Sequence, residues 1–312
     1  MSKQDPLDRL KEIDAQFLGY DRDSRDANAA PVFHYRVGRN VVAMRTDFSA
    51  EGGVRIQIDG TFATPQSFAI DAGVLGAVQV SAGNIDDGRW TLPAGEHVHA
   101  TAQGHLAVTK NVWRPRPSSF AYRRQPLEIE PSTPTLPPGY SAERYFGPKD
   151  NYGREQLFEP LGMAVAPDGT LVVATRTAGI WRLVGNEWRF FAEGLFDSLG
   201  VQVEDPHGFT VVAGQKAELT RIRDTDGDGL ADSFSTLADA FSYHGNYHSY
   251  MHGPVRDAQG NYFITLNLDD AGGDDTEYRA NGKYMGTSGG FRGWAIRVPA
   301  QGGFEPWANG LR

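Results

Sequence analysis

Cysteine is absent from the 312-residue chain. That removes disulfides, thiolate zinc sites, covalent c-type haem attachment and cysteine nucleophiles in one step. It leaves the compartment open, because a chain without thiols is indifferent to redox poise. No apolar run reaches the roughly 18 residues that a membrane-spanning helix needs. A Walker loop, a dinucleotide fingerprint and H-E-x-x-H are all missing, so nucleotide and zincin readings have no support. Positive charge is scarce: 30 Lys and Arg face 39 Asp and Glu, a net −9, which argues against a nucleic-acid backbone as partner. The opening MSKQDPLDRL lacks the apolar core of a secretory signal, which fits a cytoplasmic protein or a piece of a longer one.

Turn chemistry is abundant instead. The chain holds 37 glycines and 18 prolines and is 40% hydrophobic, the composition of many short strands around a real core. Residues 1–30 read as an N-terminal helix and loop. Leu7, Leu10, Ile13, Phe17 and Leu18 fall on one side of a helix over Asp5 to Phe17. Residues 31–130 switch to period two. VFHYRV, VVAMRTDF, VRIQIDG, SFAID, AVQVSA, HVHATA and HLAVTK are separated by Gly, Asp, Asn and Pro. This pattern predicts an antiparallel β-sandwich-like accessory domain. Within it HVH sets two imidazoles on one face of a strand, read either as a metal site or, since nearby carboxylates are few, as exposed strand histidines. Lys110 to Arg124 interleaves five cations with Trp113, Phe120 and Tyr122; its prolines and the acidic chain around it make it an irregular connector. PSTPTLPPG (131–139) is a proline-rich linker and the clearest boundary.

Beyond it, over residues 140–312, a unit recurs. LGMAVAPDGTLVVATRTAGIWRL (161–183), LGVQVEDPHGFTVVAGQKAELTRI (199–222) and HGPVRDAQGNYFITLNL (252–268) with GWAIRV (293–298) each give strand, turn, apolar strand, loop and strand. WRFFAEGL, SFSTLADAF and FEPWANGL supply a fourth segment to each, and Gly162, Gly200 and Gly253 mark the repeat. Four antiparallel strands per unit is a propeller blade. The whole chain is therefore all-β, a sandwich-like domain followed by part of a β-propeller. Since a closed propeller takes about four to eight blades, three imply further blades beyond Arg312 and two uncovered sheet faces.

Chemistry concentrates between Arg221 and Leu268. Asp224, Asp226, Asp228, Gly229 and Asp232 follow D-x-D-x-D-G-x-x-D, a calcium-loop spacing in which alternate carboxylates supply hard oxygens and a carbonyl near Leu230 adds another. Ser235 stands where an EF-hand has its bidentate Glu, so the expectation is a stand-alone brace on an inter-strand excursion, against an empty acidic turn. His244, His248 and His252 step along one face. They suit a general base, a transition-metal site or a polar channel lining. Tyr243, Tyr247 and Tyr250 can stack on a flat ligand. Arg176, Lys216, Asn267, Arg292 and Trp294 stand at or beside inner-strand ends, where they either meet a ligand's carboxylates or pair blades. Asp269 to Glu277 forms a second, unpatterned acidic loop.

EPLGMAVAPDGTLVVATRTAGIWRL, AELTRIRDTDGDGLADSF, GNYHSYMHGPVRDAQGNYFITLNL and FRGWAIRV together resemble the glucose/sorbosone dehydrogenase-like propellers, most closely the large extracytoplasmic branch often fused to cytochrome c domains. The resemblance covers roughly residues 139–312. It implies a six-bladed-type quinoprotein fold using pyrroloquinoline quinone and calcium. It also implies a sugar or alcohol substrate, a cytochrome c electron acceptor and an extracytoplasmic location. In that family an Asn-x-His motif ahead of a Gly-Pro-Asp-Gly turn carries the general base. Here Asn246-Tyr247-His248 precedes Gly253-Pro254, which implies His248 as base. The RDAQG turn is longer by about one residue, which leaves His252 as the alternative to His248 for that position; Arg292 completes the candidate catalytic set. The strand-end residues Arg176, Lys216, Asn267 and Trp294, with Tyr247, are the candidate cofactor contacts. The rival expectation is a non-enzymatic, calcium-stabilised propeller that binds carbohydrate or protein.

Overall fold

The computed structural model describes residues 15–23, 26, 29–49, 52–70, 75–105, 123–132, 136–150, 153–240, 249–267 and 291–311. Every regular element among them is a β-strand. Two compact units divide between Ser118 and Ser119, ahead of the proline-rich stretch.

The first unit contains β1 (Ala15–Asp21), β2 (Val32–Val37), β3 (Asn40–Phe48), β4 (Gly53–Phe62) and β5 (Gln66–Ala69). It continues with β6 (Gln79–Val80), β7 (Asn84–Asp86), β8 (Arg89–Leu92) and β9 (Gly95–His105). One antiparallel sheet has the order β1-β2-β3-β4-β9-β6 and a second β5-β8-β7. Alternation in the sequence decides the faces: Val54, Ile58 and Phe62 of β4 are buried while Arg55 and Thr61 are exposed. The core between the sheets joins Val42, Ile58, Phe62, Ala100 and Ala102 to Ile70, Trp90 and Leu92. Phe68 bridges Phe62 and Trp90 at 6.3 Å from each ring. This is the expected sandwich-like arrangement.

The expected N-terminal helix is corrected where it can be seen. Residues 1–14 lie outside the described residues, but Ala15–Phe17 open strand β1. Phe17 packs on Phe33 and Tyr35 of β2 at 6.4 and 5.6 Å. Cross-strand aromatic pairing overrides the local helical period here.

The second unit begins with β10 (Arg124–Pro126), β11 (Ile129–Ser132) and β12 (Ala142–Tyr145). β11 and β12 pair as a hairpin, so the proline-rich stretch is held at both ends by a ladder. Three runs of four consecutive antiparallel strands follow. The first blade is β13 (Pro160–Val165), β14 (Leu171–Thr175), β15 (Ile180–Val184) and β16 (Glu187–Ala192), with β10 added outside β16. The second is β17 (Gly200–Val203), β18 (Thr210–Gly214), β19 (Leu219–Arg223) and β20 (Ser233–Ala238). The third is β21 (Met251–Arg256), β22 (Tyr262–Leu266), β23 (Trp294–Val298) and β24 (Glu305–Asn309). Each is antiparallel in sequence order, as the repeat predicted.

The repeat glycines are where the inner strands meet. A Cβ on Gly162 would lie 2.6 Å from Gly200 Cα, and one on Gly200 would lie 1.9 Å from the Gly253 carbonyl oxygen. Both approaches are to backbone, so only glycine fits.

Of the two uncovered faces expected, one is largely covered. Trp181, Leu183, Trp188 and Phe190 lie on the opposite side of the first blade from Arg182, which reaches the second blade. Leu127, Phe158 and Leu230 pack on them, and Trp188 Nε1 donates to the Phe146 carbonyl. On that same face Met163 and Val165 of the inner strand stay 66% and 68% exposed. The outer face of the third blade carries Val255, Phe263 and Trp307, with Trp307 set edge-on to Phe263 at 5.5 Å.

Candidate functional site

The position three residues before each repeat glycine recurs at one end of the inner strands: Glu159, Asp197 and Tyr250. A residue one or two positions past the second strand of each blade stands beside it: Arg176, Lys216 and Asn267. Backbone bonds fix this neighbourhood. Arg176 N donates to Glu159 O at 3.2 Å, Lys216 N to Phe196 O at 3.2 Å, and Asn267 N to Tyr250 O at 3.0 Å. Three blades thus present two acid–base pairs and one Tyr–Asn pair.

Tyr250 is the hub. Its hydroxyl accepts from Arg176 at 3.3 Å, its carbonyl accepts from Arg292 Nη1 at 3.1 Å, and Lys216 Nζ lies 4.6 Å from its ring centroid. The His252 ring tilts against it at 6.5 Å. Lys216 is ion-paired to Asp197 at 2.7 Å, its side chain only 5% exposed. Arg176, at 37%, approaches Asp197 at 3.6 Å and Glu159 at 3.8 Å. Glu159 and Asp197 take left-handed backbone angles, φ 35° and 45°, a strained conformation for non-glycine residues that clusters at sites which need it.

Five sequence-predicted residues therefore converge: Arg176, Lys216, His252, Asn267 and Arg292. Their roles separate by exposure. Arg176, His252 and Asn267 reach the surface, whereas Lys216 and Arg292 are buried behind Tyr250. Trp294 does not join them as a free stacking platform; it packs edge-on to Phe291 at 5.6 Å beside the third blade's core. His244, Tyr247 and His248 lie outside the described residues, as does the second acidic loop.

His252 Nε2 is 2.9 Å from Asn267 Oδ1. An amide oxygen only accepts, so Nε2 carries the proton and the neutral ring keeps its lone pair on Nδ1. Behind Lys216, the carboxylate of Glu218 accepts from Thr220 and from Thr236 at 3.0 Å. Burial pushes Glu218 up against those hydroxyl bonds. Gln215 bonds Thr220 at 2.7 Å and, through Oε1, the backbone N of Phe196 at 2.7 Å. This chain fixes the turn that carries Asp197. Glu159, Asp197 and the central place of Tyr250 were missed from sequence; the offset from the repeat glycines is the signal that finds them.

The aspartate loop joins β19 to β20 and is distinct from this cluster. Carboxylate oxygens of Asp224, Asp226 and Asp228 lie within 4.8 Å of one another. Asp224 accepts from Gly227 N and Gly229 N at 2.7 and 2.9 Å. Asp228 accepts from Leu230 N at 2.9 Å. Asp232 is engaged with Thr225, at 2.9 Å to N and 2.6 Å to Oγ1. It closes the loop and is not part of the three-carboxylate group. Leu230 packs into the first blade's core, and Ala231 N donates to Phe191 O at 2.8 Å. The loop therefore ties the second blade to the first.

No protein-family model matches the chain, and no curated protein matches it. Among solved structures, the chain is similar to the holo form of the pyranose dehydrogenase PQQ domain from Coprinopsis cinerea. That match has 15% identity and a TM-score of 0.33, and it covers 60% of this chain and 39% of the other. The chain thus spans well under half the length of that neighbour.

Proposed function

We propose that the second unit is the working part of a quinoprotein-type oxidoreductase that oxidises a sugar or alcohol at the Tyr250-centred cluster. The observation that carries this reading is the convergence of Arg176, His252 and Asn267 on one surface, with Lys216 and Arg292 fixing Tyr250 from behind. Pyrroloquinoline quinone is a flat polycarboxylate, and the donor set fits it. Arg176 and Asn267 would hold its oxygens, Tyr250 would lie against its plane, and the Asp197 pair would keep Lys216 from over-charging the site. When bound, the quinone supplies the two-electron acceptor. The chain's own part is to orient the substrate hydroxyl and accept its proton at His252 Nδ1, the free lone pair. His248 is a second base candidate. Calcium belongs to the proposal at Asp224, Asp226 and Asp228, with the Leu230 carbonyl, where close carboxylates repel without a cation. Its role there is a brace between blades. A cytochrome c acceptor and an extracytoplasmic location complete the reading.

A second reading has its own support. Lys216 is already neutralised by Asp197 and Arg292 is spent on a backbone carbonyl, which suits a carbohydrate- or protein-binding propeller without redox chemistry. The two separate in one experiment. The protein is mixed with calcium and pyrroloquinoline quinone; quinone binding is followed by absorbance and sugar-dependent activity by dye reduction. The dehydrogenase reading expects Arg176→Ala to weaken quinone binding and His252→Ala to abolish reduction while leaving binding intact. Absence of both quinone binding and dye reduction in the wild type would leave the binding-module reading standing.

A further inference from the structure

Four of the protein's eight histidines, His34, His97, His99 and His105, lie on the open face of the first unit's larger sheet. The register shows it. His34 pairs with Ala43, Ala43 with Asp59, and Asp59 with His99, one row across four strands. Along β9, His97, His99 and His105 are exposed, whereas Ala100 and Ala102 face the core.

His97 and His99 differ from the other two. They stand two residues apart on one strand face, so their Cα atoms are about 7 Å apart and both imidazoles can close on one ion at the usual N–metal distance of about 2.0–2.1 Å. Sequence alone placed few carboxylates near them; the sheet brings one. Asp59 Oδ1 lies 2.5 Å from His99 Nδ1. A carboxylate accepts, so Nδ1 carries the proton and His99 Nε2 points its lone pair outward. A carboxylate behind one imidazole nitrogen with the other left free is the arrangement that orients metal-binding histidines. His34 lacks it. Its Nε2 is occupied by Asp21 at 2.7 Å, and the next residue on its strand face is Arg36. His105 lies at the far end of β9, opposite Gly53.

We propose that His97 and His99, with Asp59 orienting His99, form a binding site for a transition-metal dication of the zinc class. Imidazole nitrogens select such ions over calcium, which takes hard oxygens. Two protein nitrogens leave the remaining positions to water. The site is separate from the aspartate loop and from the Tyr250 cluster in chemistry and in sequence.

The test is calorimetric titration of Zn²⁺ into the whole protein at neutral pH, with excess Ca²⁺ present to occupy hard-oxygen sites. His97→Ala and His99→Ala should each remove one equivalent of bound zinc. Asp59→Asn should weaken that equivalent about 10- to 100-fold. His34→Ala and His105→Ala should leave it unchanged. All five side chains are on an open face, and unaltered metal-free melting checks that each variant is folded. If His97→Ala and His99→Ala bind as many equivalents as the wild type, with the same affinity, the site does not exist.

Discussion

The two seams between the described blades differ in the balance of what crosses them. Between the second and third blades the contact is apolar: Val212, Leu219, Leu237 and Ala238 pack against Met251, Tyr262, Ile264, Leu266, Ile296 and Val298. A part-buried ion cluster sits in it. Glu204 accepts from Arg221 at 2.6 and 3.2 Å and from the Tyr262 hydroxyl, with Arg256 at 3.7 Å. Between the first and second blades polar links are added to the packing of Leu230 on the first blade's core. Arg182 lies 3.6 Å from the Phe209 ring centroid and donates to His207 O at 2.6 Å. His207 in turn meets Asp168 at 2.9 Å, and the aspartate loop adds its own bonds. An apolar seam is sensitive to volume and indifferent to ions. A polar seam is the reverse. The glycine column runs through both.

That column is where the contrast should vanish, and where the largest effect is expected. Gly200→Val drives a Cβ to 1.9 Å from the Gly253 carbonyl oxygen, so both seams open and cooperative unfolding is lost, a cost above about 4 kcal/mol. Gly185→Ala is the control. It has φ 59° but open space around its Cβ, and should cost about 1 kcal/mol. Similar urea midpoints for the two variants would mean that the inner strands do not meet at Gly200. Next comes Glu204→Ala, which leaves Arg221 without its carboxylate in the apolar seam. The expected loss is about 3 kcal/mol, and Tyr262→Phe should lose about 1 kcal/mol. Burial raises the Glu204 carboxyl, but the bonds from Arg221 and Tyr262 outweigh it and hold the group below its ordinary range. Its contribution is therefore present above pH 4.5, the ordinary value, and fades as pH falls below that.

The same physical difference explains what could be read from sequence. Strands β14 and β18, LVVAT and TVVAG, are buried on both faces, so they read as continuous apolar runs with Asp-Gly or His-Gly turns before them. The other blade strands were legible as segments of the repeating unit. In the first unit β2, β3, β4 and β9 were legible from alternation, but β7 and β8 were not: NID is wholly exposed and RWTL short. At the site, cations at strand ends were visible because Arg176 and Lys216 interrupt small or apolar runs. Their acids were not, because Glu159 and Asp197 sit in irregular turns whose left-handed backbone has no residue signature when the residue is not glycine. Tyr250 became central only through packing from three blades.

Calcium should act on the polar seam alone. If Asp224, Asp226 and Asp228 hold the ion, calcium at about 100 times its Kd stabilises the fold by about 2.7 kcal/mol. Chelator then lowers the melting temperature, and Asp226→Ala removes that sensitivity. Glu204→Ala, in the other seam, should retain the full calcium response. A calcium shift that survives Asp226→Ala would place the ion elsewhere.

The smallest effect tests whether the polar seam is also the pH-sensitive one. The hydrogen bond from His207, then that from Thr170 N, holds the Asp168 carboxyl at about 2, below its ordinary 3.8. A lowered carboxyl contributes stability that is fully present above the ordinary value and is lost as pH falls from there through about 2. The pair is exposed, so solvent screening keeps the effect slight. His207→Ala should flatten the wild-type decline in melting temperature between pH 4 and 2 while leaving the Glu204-dependent part in place. In Glu204→Gln the reverse is expected, with the Asp168 part persisting. If both variants flatten the decline equally, the two seams unfold as one ionic unit and the distinction between them fails.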